Sequence, residues 1–237
     1  GRPWSESLIL MAEVAEHPRK IGAFVGGTGF TTAYDFSSLV IQEVFGKGAD
    51  VGKIAFVVGE AEHYYPNPGR MCGEIDNYDD AFVKRTLEPK RERAKLALGF
   101  LLTTNRVPLL YSGNEQGVWY GRVGGLFEPA NRDPEFLAHT KRLIELRRRE
   151  PALRRGSFSQ VWCRNPVYAF EREFEGDRLL VATNNSTDTA RVQFPIGETD
   201  WTEFEMVDLM TGEVAKRKGI ADPIFLPGLG IAILRLR

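Results

Sequence analysis

The sequence predicts two regions in succession, an α/β region built on a parallel sheet and then a small antiparallel β domain. Two observations carry this. Residues 1–156 alternate short apolar strands with amphipathic helices, the pattern of βα units. From Ser157 onward, short strands are punctuated by turn signals such as Gly176-Asp177, Asn184-Asn185-Ser186 and Pro227-Gly228, with no fixed repeat and no low-complexity segment. The expected boundary lies between residues 156 and 157.

The elements follow in order. Leu8-Ile9-Leu10-Met11-Ala12 is a continuous apolar run, expected as a strand buried on both faces and ending at Glu13. Ala33-Tyr34-Asp35-Phe36 is a second, weaker strand. Val51, Ile54, Ala55 and Val58 recur at spacings of three and four, so 50–62 is expected as helix despite its β-branched residues. Met71 to Ile75 suggests a third strand, followed by the polar cluster Asp76-Asn77-Tyr78-Asp79-Asp80, and 90–104 reads as helix. Val107-Pro108-Leu109-Leu110-Tyr111 is a fourth strand, its proline tolerable at a strand start, and it runs into the turn Ser112-Gly113-Asn114. Over 134–149 a helix aligns Leu137, Thr140, Ile144 and Arg147, with Leu143 and Leu146 beside them.

Composition narrows the function classes. The chain has 237 residues, 43% hydrophobic and 27% charged, which excludes disorder, collagen and coiled coil. Thirty-one Lys and Arg against 32 Asp and Glu leave a formal charge of −1, so no overall field draws nucleic acid or an anionic membrane. The run Arg147-Arg148-Arg149 with Arg154-Arg155 is expected as a solvated helix face. Apolar runs are too short to span a bilayer, and Gly-Arg-Pro-Trp-Ser-Glu at the N-terminus lacks the order of a signal peptide, so a soluble chain is expected, cytoplasmic or secreted. Cys72 and Cys163 fit neither a zinc spacing nor a disulfide framework and are expected as buried thiols. His17, His63 and His139 share no metal spacing, and Gly26-Gly27-Thr28-Gly29 lacks the Lys-Ser/Thr sequel of a phosphate loop, so it is expected as a flexible loop.

Working residues in a parallel βα array gather where strands end. Glu13, the cluster Asp76 to Asp80, and Asn114-Glu115 occupy three such ends. Two carboxyls facing one cleft suit glycoside hydrolysis, in which an acid protonates the leaving oxygen and an anion stabilises an oxocarbenium-like transition state. Glu13 and Asp79 are the natural pair. Pattern alone leaves open a plainer reading, a strand-end carboxylate in a surface salt bridge and a solvated acidic loop.

These residues resemble motifs of the α-amylase superfamily of glycoside hydrolases. Leu8 to Val14 is similar to its fifth-strand motif, Asp76-Asn77-Tyr78-Asp79 to its seventh-strand motif, and Arg106 to Gly117 to its eighth-strand signature. Glu128 to Pro134, Lys141 to Arg147, Glu150 to Gly156, Leu226 to Gly230 and Leu234 to Leu236 extend the likeness in the same order over nearly the whole chain. The resemblance implies strands five to eight of a (β/α)8 TIM barrel, a half-barrel of four βα units, followed by a C-terminal antiparallel β-sandwich domain. It implies hydrolysis or transfer at α-glucosidic bonds of starch-like oligosaccharides, with Glu13 as acid/base and Asp79 as transition-state stabiliser. Asn77, Tyr78 and Trp119 are the implied saccharide contacts, and Glu115 shapes the cleft rim.

The sequence departs from the family in two ways. The third-strand Asp-Val-Val-x-Asn-His-type motif and the fourth-strand Gly-x-Arg-x-Asp motif, which carries the nucleophilic aspartate, are both absent. Tyr78 stands where the family usually has a histidine. The chain alone is therefore expected to be inactive, needing a missing N-terminal half-barrel or an oligomeric partner. The alternative is a non-catalytic α-glucan-binding or interaction module. No cofactor is expected, and calcium is left to the complete protein, since the family's usual ligands lie largely in the first half.

Overall fold

The computed structural model describes residues 8–35, 38–75, 77, 90–116, 133–195, 204–217 and 222–237. Strands β1 (Met11–Ala12), β2 (Thr32–Asp35), β3 (Cys72–Gly73) and β4 (Val107–Pro108) form one four-stranded sheet in chain order. Every pairing in it is parallel, with Ala12 beside Ala33, Tyr34 beside Cys72 and Cys72 beside Val107. Parallel neighbours need helical crossovers. They are supplied by α1 (Pro18–Thr28), by α2 (Ser38–Ile41) running through a π-helical turn at Gln42–Gly46 into α3 (Gly52–Tyr64), and by α4 (Lys90–Thr103). Two helices, α5 (Pro134–Arg149) and α6 (Pro151–Arg155), close the region.

Local chemistry explains the helix ends. Asp133 accepts a hydrogen bond from the Phe136 amide at 2.9 Å, and Pro134 occupies the first turn of α5, where a missing N–H costs nothing. His17 caps α1 through Nδ1, which accepts from the Arg19 amide at 3.2 Å. The glycines expected as a flexible loop are instead the end of α1: Gly26 to Thr28 are helical and Gly29, at φ 80°, closes the helix in the left-handed region. Gly22 is needed for another reason, because a Cβ there would lie 2.2 Å from the Tyr64 carbonyl oxygen, so α1 can seat against the end of α3 only without a side chain.

The second region begins with β5 (Ser157–Arg164) and continues through β6 (Val167–Phe174), β7 (Asp177–Asn184), β8 (Ala190–Val192), β9 (Phe204–Asp208), β10 (Val214–Arg217), β11 (Ile224–Leu226) and β12 (Ile231–Leu236). Six of these make an antiparallel sheet in the order β10-β9-β12-β7-β6-β5, and β8 pairs with β11 in a second sheet. Strand alternation sorts the side chains into two cores. Tyr168, Phe170, Leu179, Val181 and Ile233 join the core of the helical region, with Phe100 of α4 5.8 Å from Phe170 ring to ring. Val167, Ala169, Leu180, Ala182 and Leu234 face the other way, against Val192, Ile224 and Leu226 of the small sheet.

Three expectations need correction. The run Leu8 to Met11 is not buried: the four residues are 55, 74, 42 and 42% exposed, and only Ala12 is inside, where β1 stands at the edge of the sheet with β2 as its one neighbour among the described residues. Arg147 is not solvated with Arg148 and Arg149; it turns inward and donates to the carbonyls of Leu102, Thr104 and Arg106 at and beyond the end of α4. Cys163 is only partly buried, whereas Cys72 is inside, and both are free thiols.

Candidate active site

The register places one candidate directly. Glu13 follows Ala12, which is level with Ala33, so Glu13 leaves the sheet at the height of Tyr34 and Cys72, on the carboxyl edge where the loop after β3 also emerges. Its side chain is exposed. Asn77 belongs to that second loop and donates from Nδ2 to Oε1 of Glu74 at 2.7 Å, which orients its amide. Glu74 is buried, and Gln42 braces the same loop by donating to the Ile75 carbonyl at 2.9 Å. Adjacent strands lie about 4.8 Å apart, so two strand spacings, roughly 10 Å, separate the exits of β1 and β3, a span within reach of one saccharide. Asp79, Tyr78, Trp119 and Asp76 lie outside the described residues.

After β4 the chain folds into a tight turn. Asn114 Oδ1 accepts from the Tyr111 amide at 3.0 Å, and Glu115 Oε2 accepts from the Gly113 amide at 2.9 Å. The Glu115 carboxylate is thus committed to the turn. Among the described residues no three His, Cys, Asp or Glu side chains gather as a metal centre would need.

A charged cluster not anticipated from the sequence supports the sheet from within. Asp35, at the end of β2 and 1% exposed, accepts from Arg106 Nε at 2.6 Å and from the Tyr65 hydroxyl at 3.0 Å. Arg106 also donates to Glu62 at 2.8 Å and stacks over the Tyr65 ring, its guanidinium carbon 5.6 Å from the centroid. Burial pulls the Arg106 pKa down, but Asp35 and Glu62 outweigh it and the net direction is up. Burial, then the Asp35 carboxylate, push the Tyr65 phenol up, so it remains a donor. All of these groups are satisfied by one another, which marks the cluster as a clamp between β2, β4 and α3. The sequence signal was present in charged residues bordering apolar strands, but the 71-residue separation of Asp35 and Arg106 conceals their pairing.

A parallel βα sheet with carboxylates at its carboxyl edge therefore leads into an antiparallel β domain. Comparison with known proteins shows what the chain is similar to. No family model matches. A β/α-amylase of Paenibacillus polymyxa is 32% identical over 163 residues, 62% of this chain and 13% of that protein. A cyclomaltodextrin glucanotransferase of Geobacillus stearothermophilus is 37% identical over 122 residues, 48% of this chain and 16% of the enzyme. Among solved structures, an Anoxybacillus α-amylase superposes with a TM-score of 0.83 at 23% identity, over 98% of this chain and 52% of the other. An α-amylase of Geobacillus thermoleovorans complexed with acarbose does so at 0.82 and 22%, over 97% and 53%. The chain is thus similar to part of each of these proteins and shares the fold of the solved ones; it spans about half the length of the solved relatives and 13 to 16% of the curated ones.

Proposed function

We propose that this chain carries the acid/base half of an active site that hydrolyses or transfers α-glucosidic bonds of starch-like oligosaccharides. Glu13 protonates the glycosidic oxygen, Asp79 stabilises the developing oxocarbenium ion, and Asn77, Tyr78 and Trp119 hold sugar hydroxyls and faces. The four parallel strands represent the second half of a (β/α)8 barrel, residues 1–156, and residues 157–237 the C-terminal domain. The observation that carries this reading is the state of the sheet's two outer strands. Neither β1 nor β4 has a second neighbour among the described residues, and apolar side chains are exposed at both, Leu8 to Met11 leading into β1 and Val107, 43% exposed, on β4. Unpaired apolar edges are aggregation-prone unless another strand covers them. Four further strands, from a preceding segment or a second polypeptide, would cover both edges at once and supply the nucleophilic aspartate, without which a retaining mechanism cannot form its covalent intermediate.

The test is native mass spectrometry of the protein isolated from its source, with turnover of 4-nitrophenyl maltoside by the same preparation. The proposal expects a longer chain or a complex that contains a Gly-x-Arg-x-Asp segment and turns over, with a Glu13→Gln variant slowed by about 10²-fold or more. Species built only from 26.7 kDa chains, binding maltooligosaccharide without turnover, would replace the proposal with a non-catalytic α-glucan-binding module, the reading that the absent nucleophile motif favours.

A further inference from the structure

A concavity of about 300 Å³ lies in the C-terminal region, away from the carboxyl edge of the parallel sheet. Its polar lining comes from the hairpin joining β5 to β6 and from the segment entering β8: Trp162, Arg164, Asn165, Ser186, Thr189 and Arg191. Among the described residues no Asp or Glu lines it. Among the described residues neither Arg164 nor Arg191 has an ion pair or a side-chain hydrogen bond; the guanidiniums are exposed, and Arg164 makes only a stacking contact. That sets them apart from Arg91, Arg106, Arg178 and Arg235, each of which is matched to a carboxylate.

Arg164 is also held in place. Its guanidinium carbon sits 4.8 Å from the centroid of the Trp162 ring, and that ring is pinned edge-on by buried Phe194 at 5.8 Å. Stacking leaves the in-plane N–H groups of a guanidinium free, and it removes rotamer freedom that a flexible arginine would lose on binding. Two cations on one concavity repel each other unless an anion lies between them. A planar fork with five N–H donors matches the oxygens of phosphate, and the Asn165 amide with the Ser186 and Thr189 hydroxyls adds neutral groups that suit a hydroxylated carrier.

We propose that this concavity is a binding site for a phosphate group, free or carried as a monoester, gripped by Arg164 and Arg191. The proposal does not depend on the activity assigned above, since it concerns a different surface and a different chemistry.

Isothermal titration calorimetry of the full chain with inorganic phosphate, with glucose 6-phosphate and with uncharged maltose tests it, alongside the variants Arg164→Gln, Arg191→Gln and, as a control on an exposed arginine elsewhere, Arg155→Gln. Both substituted arginines are exposed, so the variants should keep the fold, which circular dichroism checks. Saturable binding of a phosphate probe that weakens about tenfold or more in each of Arg164→Gln and Arg191→Gln, but not in Arg155→Gln, is the expected result. Glucose 6-phosphate tighter than inorganic phosphate would identify a phosphorylated sugar as the ligand; equal affinities would identify free phosphate, and either outcome upholds the site. The proposal is overturned if neither phosphate probe binds, if the variants bind as the parent does, or if maltose binds and both arginine variants weaken it equally.

Discussion

Arg106 and Asp35, 71 residues apart, meet inside the molecule with Nε 2.6 Å from Oδ2, and this contact ties the entrance of β4 to the exit of β2. Removing the cation would leave the buried Asp35 carboxylate without its ion pair. Arg106→Met is therefore expected to cost about 3 to 5 kcal/mol, read from urea denaturation, and the Arg106→Met/Asp35→Asn double variant to recover part of that loss. A double variant no more stable than the single one would show that the clamp is not held by charge.

Arg172, fully buried on β6, donates to four carbonyls: Ser157, Thr103, Leu153 and Gly156, at 2.7 to 3.0 Å. Burial and the like charge of Arg147 pull its pKa down to about 9, so at neutral pH it is still a cation and all of its bonds are charge-assisted. Arg172→Lys keeps the charge but cannot reach every acceptor, and a loss of about 3 kcal/mol in the denaturation free energy is expected. Parent-like stability in that variant would refute the role.

Tyr168 is the reverse case. Its hydroxyl is buried and has no hydrogen-bond partner among the described residues, and burial pushes its pKa up. An unserved buried hydroxyl costs free energy, so Tyr168→Phe should leave stability unchanged or raise it by about 1 kcal/mol. A fall in the melting temperature on that substitution would contradict this.

The pH dependence of the α4 and α5 packing should follow Asp133. Its hydrogen bonds from Arg91 hold the carboxyl below its usual range, with a smaller contribution from the Phe136 amide. A lowered folded-state pKa means the stabilisation is complete above the unfolded value, near 4, and is lost as pH falls through the folded value. Asp133→Asn keeps the helix cap and loses only the ion pair. The variant should be less stable than the parent by about 1 kcal/mol or less at pH 7, and equal to it by about pH 2. A gap that persists unchanged at pH 2 would place the effect elsewhere.

Periodicity served where one rule governed a segment. The spacing of Val51, Ile54 and Val58 found α3 within two residues at each end, and the line through Leu137, Thr140, Ile144 and Arg147 found α5. It failed where tertiary contact decided. Helix α1 has two glycines near its end and no acidic residue in its first turn, so its sequence signal is weak and its packing against α3 holds it. The exposure of Leu8 to Met11 is equally invisible to a pattern rule, since an apolar run says only that a face wants cover. Of the candidate site, Glu13 was legible as a strand-end carboxylate and Asn77 as a loop residue after the third strand, but the brace from Glu74 to Asn77 depends on loop geometry. Arg147 was legible as part of a helix yet not as a plug for the end of α4.

The six-stranded sheet has consequences for how such chains diverge. With Tyr168 and Phe170 turned into one core and Val167 and Ala169 into the other, β6 is a shared wall rather than the outer skin of an appended module. A cut between residues 156 and 157 would strip that wall from one room while leaving it in the next. Exchanging the C-terminal piece between homologues should therefore succeed only when the side chains of α4 and α5 travel with it as a matched set.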